Sequence, residues 1–283
     1  ITSVTAQDFS RPVAYRVHAA DGTTTTFTVT VHVEAYAYQT RPPTAFQTGF
    51  GALTTQAADL NADGKPDLVV MDSSVGRIAV GIDTTAPGDG SASFTDPTFV
   101  GTTETPRAFA IEDFNTDGSP DVVVVGDTFT GDIASVFLNT TPASAVAPTF
   151  AAASDFSVGT MRPVAVRAGD VNGDGRPDLV IAVNDAGFAP TTGALAVLLN
   201  TTPAGATTAT FAGHVDFQTG GAPTDVALAD VDRDGKLDIA VLNYASDVAV
   251  LRNTAPAGAG APQLASPTPI SRIAGTTSQA IAA

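Results

Sequence analysis

One nine-residue stretch constrains this chain more than any other feature, and it occurs four times: residues 59–67, 113–121, 170–178 and 230–238 all read Asp-x-(Asn/Asp)-x-Asp-Gly-x-x-Asp. Each copy runs straight into an apolar, β-branched segment, beginning at Leu68, Val122, Leu179 and Ile239. Oxygen ligands at positions 1, 3 and 5, with a glycine at position 6 that can turn left-handed, are what a short loop needs to wrap a hard cation of calcium size. Position 7 supplies only its backbone carbonyl, and position 9 returns a carboxylate. The expected ligand sets are Asp59, Asn61, Asp63, Lys65 and Asp67; Asp113, Asn115, Asp117, Ser119 and Asp121; Asp170, Asn172, Asp174, Arg176 and Asp178; and Asp230, Asp232, Asp234, Lys236 and Asp238. One such loop would be weak evidence, because Asp, Asn and Gly are ordinary turn residues. Four in register carry the assignment, to about four calcium ions with a structural role.

An EF-hand loop needs an acidic ligand at position 12 and a helix after it. Position 12 here is Val70, Val124, Ile181 and Val241. The loop must therefore close at position 9 and lead into a strand, which makes it a β-hairpin connection. Successive loops start 54, 57 and 60 residues apart, a period that marks a repeat architecture. In each unit an alternating strand enters the loop (Phe109 to Ile111, Val164 to Val166, Val226 to Leu228) and the apolar strand leaves it. A third strand follows (Arg77 to Gly81, Ile133 to Leu138, Ala194 to Leu199, Val248 to Leu251), then a polar loop and a weaker fourth strand such as Thr149 to Phe156 or Thr210 to Phe217. Four short antiparallel strands per unit describe an all-β chain of propeller blades.

The net charge of −16 fits this reading, since 13 of the 29 acidic residues lie inside the four loops, and four divalent ions would halve it. With 13 Lys and Arg scattered singly, nucleic-acid or anionic-membrane binding is not expected. The sequence has no cysteine and no apolar run long enough to insert in a membrane. Calcium-dependent loops favour an extracellular setting; at about 100 times a site's dissociation constant each ion adds about 2.7 kcal/mol of stability.

Residues 1–38 differ from the rest. Val13, Tyr15 and Val17 alternate with polar residues, Asp21-Gly22 makes a turn, and Phe27, Val29, Val31 and Val33 alternate again, as in a hairpin with one buried face. The stretch from Phe9 to Val33 resembles the closing strands of bacterial cadherin-like or immunoglobulin-like surface modules. Residues 39–43, ending in Arg41-Pro42-Pro43, form the expected linker. From 44 to 283 the repeats resemble the FG-GAP or VCBS repeats of bacterial surface proteins and integrin alpha-chain propellers. That resemblance rests on the four loops, on Leu-Asn-Thr-Thr at Leu138 and Leu199, and on Phe217 to Pro223. It implies calcium at the matching loop positions and a parent propeller of about seven blades. Gly275 to Ala283 aligns with Gly221 to Ala229, so a fifth loop is expected to follow.

Other residues have plainer readings. His18 and His32 sit opposite in parity to the buried hairpin face, and His214 lacks a partner at metal spacing. There is no Gly-x-Ser-x-Gly, no His-Glu-x-x-His and no cysteine nucleophile, and carboxylates that chelate calcium are held ionised. An enzyme is therefore not expected here. Asn139-Thr-Thr141 and Asn200-Thr-Thr202 match the N-glycosylation pattern but fall at equivalent repeat positions, which a repeat-encoded turn explains. Aromatic residues are only 7% of the chain and there is no tryptophan, which argues against a stacking platform for sugars; Phe188 and Tyr244 at loop starts offer one ring each. The resulting expectation is a non-enzymatic, calcium-stabilised binding or structural section of a bacterial cell-surface adhesin or fibre. Its partners would be an extracellular protein, a carbohydrate or copies of itself. The alternative is the propeller domain of a secreted enzyme such as a polysaccharide lyase, which would require a convergent polar cleft with a base not tied to calcium.

Overall fold

A computed structural model describes residues 13–18, 24–29, 52–74, 76–102, 105–128, 131–185, 190–244 and 248–270. The chain divides into two units, Ile1–Pro43 and Thr44–Ala283. In the first, β1 (Val13–His18) pairs antiparallel with β2 (Thr24–Val29), setting Tyr15 opposite Phe27 and Val17 opposite Thr25. The Asp21-Gly22 turn, Val31 to Val33, the linker 39–43, Phe188 and the tail from Gly275 lie outside the described residues.

The second unit holds sixteen described strands in four antiparallel sheets, each sheet taking its four strands in chain order. The first blade is β3 (Ala52–Ala58), β4 (Asp67–Asp72), β5 (Arg77–Gly81) and β6 (Thr98–Gly101). The second is β7 (Thr105–Glu112), β8 (Asp121–Thr128), β9 (Gly131–Phe137) and β10 (Ser154–Ser157). The third is β11 (Arg162–Gly169), β12 (Asp178–Asn184), β13 (Gly193–Leu198) and β14 (Val215–Gln218). The fourth is β15 (Pro223–Ala229), β16 (Asp238–Asn243), β17 (Val248–Leu251) and β18 (Thr268–Ile270). The fourth strands are shorter than the sequence pattern predicts. The chain first makes a single bridge, such as Asn139 to Phe150 or Asn200 to Phe211, and only later enters the ladder.

The second strand of each blade is an unbroken apolar run because both of its faces are covered. In β8, Val122 to Val125 are all fully buried, and Leu179 to Ala182 match them in β12. β-branched residues suit such doubly covered positions. The first strand of three blades carries a proline at Pro106, Pro163 or Pro223, and the register shifts immediately after each one. A proline has no N–H for the ladder, and a bulge is where a sheet tolerates it.

Consecutive blades pack face to face through their apolar side chains. Leu60, Met71 and Val80 of the first blade meet Phe109, Val122 and Phe137 of the second. Phe114, Val123 and Val136 then meet Val166, Leu179 and Leu198, and Val171, Leu195 and Leu199 meet Val226, Ile239 and Leu251. Phe211 sits edge-on to both Phe114 and Phe156, with centroids 5.8 and 5.1 Å apart, in the range aromatic pairs prefer. This stacking holds all four acidic loops at one end of the sheets, where each first strand hands over to its second.

Candidate metal centres

The loops share one backbone geometry. Position 6 is left-handed throughout, with φ of 84° at Gly64, 90° at Gly118, 87° at Gly175 and 86° at Gly235. Position 4 is left-handed too, at Ala62 (52°), Thr116 (51°), Gly173 (72°) and Arg233 (63°), and only one of these is glycine. The sequence pattern left position 4 open, so this second reversal was not legible there. The two reversals turn backbone N–H groups onto the position 1 carboxylate: Asp59 accepts from Asp63 and Gly64 at 3.1 and 2.8 Å, and Asp113, Asp170 and Asp230 repeat this. The position 5 carboxylate likewise accepts the N–H of position 7, as Asp63 does from Lys65 at 2.9 Å.

Position 9 plays a different part. Asp67, Asp121, Asp178 and Asp238 are essentially fully buried. One oxygen of each accepts the N–H of position 2 in its own loop, at 2.8 to 3.1 Å. The other accepts the N–H of the residue two positions past the end of the third strand: Asp83, Asn139, Asn200 or Asn253, at 2.7 to 2.8 Å. These carboxylates bolt the loop to the blade, and each oxygen keeps a further lone pair. Burial is the main reason the Asp121 carboxyl is pushed up to about 7 and that of Asp178 to about 6. The neighbouring carboxylates at positions 5 and 1 add to the rise, and the two donated N–H groups oppose it. Asp67 is raised for the same reasons.

The asparagines of the turns after the third strands, Asn139 and Asn200 in Leu-Asn-Thr-Thr and Asn253 in Arg-Asn-Thr-Ala, then reach across to the preceding blade. Asn139 donates its side-chain amide to the carbonyl of Leu60, Asn200 to that of Phe114 and Asn253 to that of Val171. In return Asn61, Asn115 and Asn172 at loop position 3 donate to Ala145, Ala206 and Ala259 on the following blade's turn. Their own carbonyls accept from Ser144, Gly205 and Gly258. Asn139 and Asn200 are therefore buried hydrogen-bonded clasps, and their amides are not presented as surface glycan acceptors. The clasp covers position 2 as well: Leu60, Phe114 and Val171 are at most 3% exposed, whereas Val231 of the fourth loop is 50% exposed.

Each loop offers oxygen donors alone, as calcium requires, and among the described residues three carboxylates converge in the fourth loop only. The fourth loop gives the clearest fit. Carboxylate oxygens of Asp230, Asp232 and Asp238 all come within 4.8 Å of one another. Ligands at the usual 2.3–2.6 Å on opposite sides of one ion stand about that far apart. Three carboxylates at such separations repel unless a cation offsets them. At position 7, where only a backbone carbonyl was expected to matter, two side chains are engaged. Arg176 reaches Asp174 at 2.6 Å, and Lys236 reaches Asp234 at 3.3 Å.

Outside the loops, His214 sits partly buried just ahead of β14, with Nδ1 2.8 Å from Asp216. No helix among the described residues is long and apolar enough to cross a membrane.

Four-stranded antiparallel sheets joined in series, each hinged on an acidic loop, define a β-propeller repeat module. Residues 59–124 and 170–241, just under half of the chain, match the family model of the FG-GAP-like repeat, which supports placing these repeats with the FG-GAP family. No curated protein matches the chain. Among solved structures, one of the Photorhabdus luminescens Tc holotoxin pore aligns with 93% of this chain at 17% identity and a TM-score of 0.28. The chain spans 14% of the length of that toxin chain.

Proposed function

We propose that this chain is a non-enzymatic, calcium-stabilised section of a larger extracellular surface protein, serving as a rigid binding or structural module of an adhesin or fibre. The observation that carries the reading is the convergence of Asp230, Asp232 and Asp238 within 4.8 Å at a loop type that recurs in all four blades. The side chains at positions 1, 3, 5 and 9, with the position 7 carbonyl, would hold one calcium ion per loop. Bound there, the ion supplies charge neutralisation to carboxylates that otherwise crowd one another. The protein's own part is mechanical. The loop backbone is set by the two left-handed residues, position 9 ties it to its blade, and the asparagine clasp ties it to the next, so ordering a loop orders a blade junction. A stack ordered in this way presents its connecting loops at fixed spacing to an extracellular protein, a carbohydrate or further copies of the chain.

The test is a calorimetric calcium titration of metal-stripped protein, with thermal melts in calcium and in chelator. About four ions bound, with a sharp rise in melting temperature, is the expected result. Absence of calcium uptake with an unchanged melt would reduce the loops to ordinary turns and remove the main support for an extracellular setting.

A further inference from the structure

At the end of the sheets opposite the acidic loops, the junction between the second and third blades opens into a cleft of about 490 Å³. That lies within the range of about 300–1,000 Å³ typical of small-molecule sites. The start of β7 brings Arg107 to it, the end of β8 Asp127, the start of β9 Asp132, the start of β11 Arg162 and the end of β12 Asn184, with Asp185 just beyond. Thr160 and Met161 complete the wall.

Some of these groups already hold one another. Arg107 forms a two-pronged pair with Asp127, at 2.5 and 3.2 Å, and Asp185 accepts the N–H groups of Thr191 and Thr192. Others are available. Arg162 stands 3.9 Å from Asp127, beyond hydrogen-bond reach. Asp132 lines the same space, where burial and the nearby Asp127 raise its pKa while Arg162 and Arg107 oppose the rise. Asn184 donates its amide to the carbonyl of Pro223, which leaves its side-chain oxygen as an acceptor. Blade stacking does not demand this charge. Counting back from each loop, the position of Arg107 is Leu53, Val164 and Thr224 in the other blades, and that of Arg162 is Gly51, Thr105 and Ala222.

The chemistry of the wall selects its ligand. A cation entering the cleft meets two guanidiniums, and an anion meets three carboxylates. A hydroxyl carries no charge, donates and accepts at once, and so satisfies a donor-only guanidinium beside an acceptor-only carboxylate. Met161 offers an apolar surface for the C–H face of a ring. We propose that this cleft is a binding site for a neutral, hydroxyl-rich sugar, with Arg162 donating to one ring hydroxyl, and Asp132 and the Asn184 side-chain oxygen accepting from others. The proposal deepens the binding-module reading and rests on it, but it does not depend on calcium in the loops.

The test applies the full chain, in calcium, to an immobilised panel of neutral and acidic oligosaccharides, followed by calorimetric titration with the best neutral binder. Saturable binding of a neutral sugar in preference to its uronate or sulfated counterparts is expected. Arg162→Ala and the near-isosteric Asp132→Asn should each weaken it about ten-fold, the loss of one charged hydrogen bond, with the melting temperature held within about 2 °C. Asp230→Asn in the fourth loop should reduce calcium uptake and leave the sugar affinity unchanged. The proposal is overturned if no neutral sugar binds, if acidic sugars bind better, or if both cleft variants bind like the parent. A calcium-dependent melt that persists in those cases leaves the calcium-stabilised module standing. Sugar binding without calcium uptake would remove the calcium reading alone.

Discussion

The side-chain amide of Asn139 donates to the backbone carbonyl of Leu60 at 2.8 Å, joining the turn of one blade to the acidic loop of the blade before it, 79 positions away. The same asparagine donates its backbone N–H to Asp121 and accepts from Thr141, so one residue fixes its own turn, its own loop and its neighbour's loop. Asn200 is the deepest copy of this clasp, 1% exposed, and it reaches both Phe114 and Pro177. Replacing Asn200 with Ala strands those buried carbonyls and the Thr202 N–H, and is expected to cost about 2–3 kcal/mol in chemical denaturation. Expressed through a secretory pathway that glycosylates asparagine, the folded protein should carry no glycan at Asn139 or Asn200. Mass spectrometry showing full occupancy at either would contradict the clasp.

Metal-free protein should lose stability as pH rises from 5 to 7.5. Burial holds the carboxyls of Asp121 and Asp178 up at about 7 and about 6, against 3.8 unperturbed. A carboxyl raised on folding favours the native state while protonated. That contribution is fully present below about 3.8 and fades as pH climbs through 6 and 7. Carboxyls held low, such as Asp127 beside Arg107, act in the opposite sense but only below the ordinary carboxylate range, outside this window. Calcium must displace those protons, so its stabilising effect should grow over the same interval. Denaturation curves in chelator at the two pH values, repeated in calcium, measure both effects. A chelated protein equally stable at both would count against the burial argument.

Much of this architecture is readable from the residues themselves. Val122 to Val125 and Leu179 to Ala182 announce doubly covered strands, and the four Asp-x-(Asn/Asp)-x-Asp-Gly-x-x-Asp loops fix the repeat and the ends at which strands meet. What stayed hidden depends on distance in sequence. Leu-Asn-Thr-Thr looks like a local turn, because its partner at Leu60 or Phe114 lies about eighty residues upstream and nothing near Asn139 or Asn200 names it. The position 9 aspartates read as ligands, although their burial assigns them two backbone N–H groups each. The cleft is equally invisible, since Arg107, Asp132 and Arg162 are isolated charges in three separate strands.

Position 4 of the loops offers a reciprocal pair of substitutions. Ala62 is left-handed at φ 52°, a conformation that costs an L-residue about 1 kcal/mol relative to glycine, so Ala62→Gly should stabilise the protein by a few tenths to about 1 kcal/mol. Gly173 occupies the equivalent place at φ 72°, and a Cβ there would lie 3.2 Å from the Ala257 backbone of the next blade. Gly173→Ala therefore adds steric pressure to conformational strain, and should cost about 1–3 kcal/mol. Thermal melts in chelator compare the two without metal. Equal shifts of the same sign would show that position 4 is not under the strain its dihedrals describe.

Asp232 marks where the fourth loop departs from the other three. At this position Asn61, Asn115 and Asn172 donate an amide to the next blade's turn, at 2.9 to 3.1 Å. An aspartate cannot donate, and Asp232 instead meets the Arg252 guanidinium at 3.5 Å. What it adds is a third carboxylate beside Asp230 and Asp238. The fourth loop should accordingly be the tightest of the calcium sites and the least stable without calcium, because like charges at that spacing repel. Asp232→Asn is expected to weaken that one site about ten-fold while raising the chelated melting temperature. The reverse exchange, Asn172→Asp, should remove a clasp to Ala259 and cost about 1–3 kcal/mol in chelator, yet strengthen the third site. Calorimetry paired with melts on both variants separates the two roles. If Asp232→Asn leaves every site's affinity unchanged, the convergence of three carboxylates does not govern metal binding in this loop.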